Sequence, residues 1–120
     1  MNEAGERLLK RIKEHRGYDP LPFQRELAER HPDFLAAYDD MYRAAMGDGS
    51  ALPAQTRHLI VMVLDLVLGL GDKAVRGHAR RAIEHGATEA QVTAAIELAT
   101  LVSAGKPVSA MGYVFSEQPG

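Results

Sequence analysis

The sequence predicts an all-α protein, a bundle of about six to seven helices, on three observations. Apolar residues recur at helical spacing through most of the 120 residues, and no stretch of strand-like alternation competes with them. Stop and start signals stand where that periodicity breaks, most clearly at Gly86 and Thr88. Apolar residues make up 46% of the chain with three phenylalanines and no tryptophan, so the core is aliphatic and alanine-rich.

Residues 3–16 read as a charged amphipathic helix around Leu8, Leu9 and Ile12 that stops at Gly17, and Tyr18-Asp19-Pro20-Leu21-Pro22 is a loop. A short helix is expected over 22–30. His31-Pro32 opens the next, because proline suits a first turn, and Leu35, Tyr38, Met41 and Tyr42 carry it to Met46. Gly47-Asp48-Gly49-Ser50-Ala51 is a linker of a length that fits an interhelical loop. A long helix is expected over 53–69. Its apolar run, 59–70, is interrupted by Asp65 and too short for a membrane span, so it reads as a helix buried on most sides.

In the helix expected over 72–85, Val75, Ala79, Ala82 and Ile83 should face inward and Lys73, Arg76, Arg80 and Glu84 outward, with His78 at the margin of the apolar face. Gly86 supplies the left-handed residue that closes it, and His85 suits the helix dipole. Thr88 caps the next helix, expected over 88–104, while Gln91 reaches back as in a capping box. Gly105-Lys106-Pro107 is expected to break the chain before a final helix through Met111, Tyr113 and Phe115.

The length gives room for one domain, taken as residues 1–120, with 1–30 as an N-terminal helical extension. A net charge of -2 argues against a nucleic-acid surface, which shows as a basic excess. With no cysteine there is no disulfide framework, and residues 1–20 lack the apolar core of a signal peptide. The expectation is a cytoplasmic protein that engages neither membrane nor nucleic acid. The helices from 53 and from 88 are apolar around much of their circumference, which predicts a homo-oligomer sharing a helical core; the alternative is a monomeric bundle with these helices at its centre.

Candidate chemistry centres on His78, His58 and Asp65. An imidazole with an ordinary pKa of about 6.5 moves protons in either direction near neutrality, whereas the plainer role for His78 is a hydrogen bond to a neighbouring helix. His58 and Asp65 are seven apart and share a helix face. An unpaired buried carboxylate is expensive, so Asp65 must meet a cation or donors, reach solvent, or be protonated; a structural ion pair and a substrate-orienting role both satisfy this. Arg57, Arg76 and Arg81 are candidate anchors for a small anionic substrate, since a guanidinium holds a carboxylate through two parallel hydrogen bonds, although arginines on amphipathic helices are commonly just solvated. Tyr42, with Met111 or Tyr113, could wall a pocket or pack the core. His78 and His85 are also seven apart, but a third ligand at metal spacing is missing, so no metal is expected.

Two segments carry a family resemblance. His78, Ala82, Gly86, Ala87 and Thr88 follow in order the histidine, alanine, glycine and Gly-Ala/Val-Thr step of the carboxymuconolactone decarboxylase family, which shares the alkylhydroperoxidase D-like fold. Leu52-Pro53-Ala54-Gln55-Thr56-Arg57-His58-Leu59-Ile60 is similar to that family's Leu-x-x-Lys-x-Arg-Glu-Leu-Ile entry into a long helix, and His31-Pro32-Asp33-Phe34 is also common in such proteins. The resemblance covers roughly residues 31 to 116. It implies trimers or hexamers with sites close to subunit contacts.

Peroxidase members of this fold place two cysteines before the histidine and a glutamate on the preceding helix. Here Gly71 and Ala74 stand at about the cysteine positions and His58 where the glutamate is often found, so thiol peroxidase chemistry is excluded for want of a nucleophile. The resemblance to the decarboxylase branch implies a cofactor-independent lyase acting on a small carboxylated lactone or keto acid, with arginine fixing a carboxylate and His78 or His58 delivering a proton beside a carbonyl. The same apparatus would serve isomerisation, dehydration or cyclisation. The alternative is a non-catalytic module binding a small molecule or a protein on the same scaffold.

Overall fold

In the computed structural model, which describes residues 1–117, the N-terminal end of the chain is anchored by Asn2, whose side-chain oxygen accepts from the Gly5 amide at 2.9 Å. Helix α1 (Glu3–Arg16) closes on Gly17, whose φ of 76° is the left-handed stop expected from the sequence. Pro22 opens α2 (Pro22–Arg30), where the Gln24 side chain accepts from the Leu21 amide at 2.8 Å. Proline in the first turn also begins α3 (Pro32–Met46). Leu8 and Ile12 of α1, Ala28 of α2 and Leu35 of α3 form one apolar core, with Leu9, Leu27 and Ala36 packed against it.

The second half is α4 (Ala54–Leu68), α5 (Asp72–Glu84) and α6 (Glu89–Val108), ending in a 3-10 turn over Ser109–Gly112. No strand occurs among the described residues, and none of their helices is long and apolar enough to cross a membrane. The expected turn between α5 and α6 is present: Gly86 has φ 106°, and Thr88 and Gln91 exchange two hydrogen bonds of 2.9 and 3.1 Å. One boundary differs from expectation. The chain does not break at 105–107; α6 runs through Pro107, and only the short 3-10 turn follows. Proline lies in the last turn, where its missing N–H removes a single hydrogen bond and little helix remains for it to disrupt.

Two expectations about facing are overturned. The run 59–70 is not buried on most sides of the chain: the buried residues of α4 are Arg57, His58, Met62 and Asp65, while Ile60, Leu64, Val67 and Leu68 are exposed. Polar groups line the inner stripe because they meet one another there, and the aliphatic stripe is left outward. Nor does His78 sit at a margin. The inner face of α5 is Ala74, Gly77, His78 and Ala82, with His78 1% exposed and Ile83 outward. Gly77 sets this rotation, because the Tyr18 ring lies against its Cα, where any Cβ would collide.

The chain measures 59 × 35 × 25 Å with a radius of gyration of 18.0 Å. A compact globule of this length has about 14 Å. Of α6, only Ala99 is buried.

Candidate active site

The centre of the site is made by α4 and α5, the most extensively packed pair of helices. His58, Met62 and Asp65 recur at four and three residues, so α4 presents them in one column, and α5 presents His78 opposite. The two imidazoles meet directly: Nδ1 of His58 lies 3.0 Å from Nδ1 of His78. At that distance one nitrogen carries the proton and the other accepts it. The second nitrogen of His78, Nε2, stands 3.8 Å from the Asp65 carboxylate. An ionised carboxylate only accepts, which favours the tautomer of His78 with its proton on Nε2; His58 Nδ1–H then donates to His78 Nδ1. His85 stacks on His58 with ring centroids 5.7 Å apart.

Burial governs the protonation of this group. Loss of water pushes His78 down to about 4, reinforced by His58 and by the Arg16 and Arg81 guanidiniums. His58 is also pushed down to about 4, again first by burial and then by His85, Arg81 and Arg57. Both rings are therefore neutral at pH 7. Asp65 is raised above the ordinary carboxyl range by burial, with Arg16 acting in the opposite direction.

The N-terminal helices close the other side. Arg16, 3% exposed, places its guanidinium carbon 3.9 Å from the centre of the Tyr42 ring, a cation–π contact, and 5.8 Å from Tyr38. Its charge partner is Asp39, fully buried, at 3.4 Å; the same carboxylate accepts from Arg11 at 3.0 and 3.1 Å. Two arginines of α5 hold the end of α1 in place: Arg80 donates to the Gly17 carbonyl at 3.2 Å and Arg81 to that of Glu14 at 3.0 Å. Both guanidiniums donate into the negative end of the α1 dipole.

Between these walls lies a cavity of 150 Å³ lined by Arg16, Tyr18, Phe23, Tyr42, Asp65 and His78, with Ala74 where the peroxidase resemblance would put a cysteine. A second opening of 270 Å³, lined by His15, Tyr42, Arg43, Met46, Gly47 and His58, lies on the other side of the imidazole pair. His78 faces the first and His58 the second, so the pair spans from the smaller pocket to the larger one.

Of the residues singled out from sequence, His78, His58, Asp65 and Tyr42 come together here. Arg57, Arg76 and Arg81 do not line the inner cavity. Arg57 donates to the Leu52 carbonyl and pairs with Asp48 at 3.6 Å, fastening the linker before α4. Arg76 is exposed and pairs with Asp72 at 2.6 Å; Arg81 is engaged with α1. Met111 and Tyr113 are exposed beyond α6 and wall neither cavity. Sequence reasoning missed Arg16, Tyr18 and Asp39. Arg16 had a legible signal: it stands four residues after Ile12 and eight after Leu8, on the inner stripe of α1. Among the described residues, no group of three or more His, Cys, Asp and Glu side chains is placed to hold a metal ion.

Fold and site together define a cysteine-free helical protein organised around a buried histidine pair and a carboxylate beside a small cavity. The chain belongs to the carboxymuconolactone decarboxylase family, whose model matches residues 32–113. No curated protein and no solved structure gives a significant match to it. The family match takes in α3 to the 3-10 turn and leaves α1 and α2 outside.

Proposed function

We propose that the protein is a cofactor-independent lyase of the carboxymuconolactone decarboxylase type, acting on a small carboxylated lactone or keto acid. The observation that carries this reading is the 3.0 Å imidazole pair, which joins the two pockets. In the reaction the bond to the leaving carboxylate breaks, carbon dioxide departs, and the electron pair moves into the adjacent carbonyl as an enolate. The enolate carbon takes the Nε2 proton of His78. Nδ1 of His78 takes the proton of His58 Nδ1, His58 takes one on Nε2 from water in the outer opening, and the hydroxide left there combines with the released carbon dioxide as bicarbonate. Once product leaves, water on the inner side returns a proton to His78 Nε2, the shared proton moves back to His58 Nδ1, and His58 Nε2 gives its proton to the outer solvent. Neither ring needs to become a free imidazolium, which matches their depressed basicity. Asp65, 3.8 Å from Nε2, orients His78 toward the pocket.

A second reading, non-catalytic binding of a small molecule on the same scaffold, draws on the deep burial of His78. The deciding experiment is ultraviolet and carbon dioxide release assays with 4-carboxymuconolactone, comparing the intact protein with His78→Gln. Turnover lost in the variant supports the lyase. Saturable binding with no chemical change in either protein supports the module.

The assembly is part of the proposal. Leu59, Ile60, Val63, Leu64 and Val67 of α4 and Leu98 and Val102 of α6 bound a 350 Å³ groove with no polar surface. A homo-oligomer, a trimer or hexamer as the resemblance implies, covers such a face with another copy of the chain.

A further inference from the structure

We propose that His15, carried on α1 outside the family match, exchanges protons between solvent and the histidine pair, passing them through water to and from Nε2 of His58. This rests on the reading of that pair as a proton relay. Geometry is the first argument. His58 uses Nδ1 on His78, and its Nε2 has no protein partner among the described residues. That nitrogen is not among the buried polar atoms left unpartnered, so it meets water in the outer opening. His15 lines the same opening from α1, exposed and in no hydrogen bond or ion pair with another described residue. At 270 Å³ the opening has room for several waters, enough to bridge the two imidazoles.

Elimination is the second argument, because the other groups around the opening cannot do this. Arg43 keeps its charge throughout the range in which proteins work. The Tyr42 hydroxyl is raised by burial and holds its proton. His85 stacks on His58 only 6° from parallel, so the in-plane nitrogens of the two rings do not point at each other. An imidazole is the side chain that both gives and takes protons near neutrality. His15 also stands between Glu14 and Gly17, whose carbonyls Arg81 and Arg80 hold, so its backbone is fixed at the opening.

The chemistry of the relay calls for such a group. Water is a weak acid, with a pKa of about 15.7, and a proton drawn from it leaves hydroxide behind. The His15 imidazolium instead gives a proton to the bridging water as that water gives one to Nε2 of His58. His58 passes its Nδ1 proton to His78, and His78 releases the one on Nε2 into the inner cavity. In the return, inner water restores a proton to His78 Nε2, the shared proton goes back to His58, and neutral His15 receives the proton leaving Nε2. During turnover the enolate keeps the released proton, and bicarbonate forms from the hydroxide of the inner water rather than in the outer opening. His15 ends each cycle as it began.

The test follows the Nε2 proton of His78, which every passage along the pair replaces, by magnetisation transfer from water in the full chain labelled with nitrogen-15 histidine. At pH 7, His15→Ala should slow this exchange at least about tenfold, the loss of a general acid and base. Imidazole added to the buffer should restore it in proportion to concentration, which a merely structural role would not produce. Unchanged or faster exchange in the folded variant, or slowed exchange that imidazole does not restore, overturns the inference. If the alanine variant does not fold, His15→Gln takes its place with the same outcomes. Slowed and rescued exchange with no turnover of 4-carboxymuconolactone sinks the lyase and leaves the role of His15 standing. Undiminished turnover by His15→Ala with unchanged exchange does the reverse.

Discussion

Asp39 is the residue on which the N-terminal half turns. It is fully buried and accepts from Arg11 and Arg16, so removing it leaves Arg16 buried without its partner. Asp39→Ala should cost about 3–5 kcal/mol, and Asp39→Asn less because an acceptor remains; urea denaturation of both variants checks the order. The histidine pair sets the pH dependence. Folded, both rings titrate near about 4, below the ordinary imidazole value of 6.5, so unfolding takes up protons between those limits. Stability present above pH 6.5 is therefore lost as pH falls toward 4, with a slope of up to about 1.4 kcal/mol per pH unit for each proton. Asp65 works in the opposite sense, since its raised value favours the folded state at acid pH, but it is one group against two. Urea midpoints from pH 7 to 4.5 should fall, and His58→Gln should flatten the profile; an unchanged midpoint would contradict neutral buried rings. His78, His58 and Asp65 were legible from sequence because motif order and helical spacing mark them. Arg16 was not singled out because its role depends on Asp39, twenty-three residues away and on another helix.

Elements were more legible than their orientations. Every predicted helix up to α5 begins and ends close to its punctuation, because proline, glycine and capping side chains act on backbone groups within a turn. Facing depends on partners that the sequence does not order. The inner face of α5 was expected at Val75 and Ile83, yet Tyr18 approaches Gly77 and turns the helix toward Ala74 and His78. Gly77→Ala should accordingly be destabilising despite alanine's better helix propensity, by about 1–3 kcal/mol, as overpacking displaces Tyr18. Thermal denaturation measures this directly, and a raised melting temperature would show that the ring yields freely. In α4 the same principle reverses the usual pattern. Its polar residues pair inside the chain, so the aliphatic residues that normally build a core are spent on the outer surface.

The dimensions of the whole molecule carry a prediction of their own. A radius of gyration about 4 Å above that of a compact globule accompanies exposed Leu98, Leu101 and Val102 on α6 and exposed Val114 and Phe115 beyond it. The purified protein should have a solution mass at least twice the 13.1 kDa of one chain by light scattering, and Leu101→Glu with Val102→Lys should reduce it. A monomeric mass for the intact protein would overturn the assembly. The apolar stripes that α4 and α6 leave exposed were foreseeable from the apolar circumference of two helices, whereas the course of the chain through Pro107 was not.

The attachment of α1 has a consequence for how such proteins diversify. Arg80 and Arg81 hold that helix by main-chain carbonyls, which every residue type supplies, so the joint is indifferent to what the helix displays. A different N-terminal segment with the same ending could dock on the same two arginines and bring another side chain to the cavity. The chain is built like a tool with a fixed handle and an exchangeable tip: the histidine pair stays on α4 and α5, while Arg16 in the opposite wall of the cavity travels with α1.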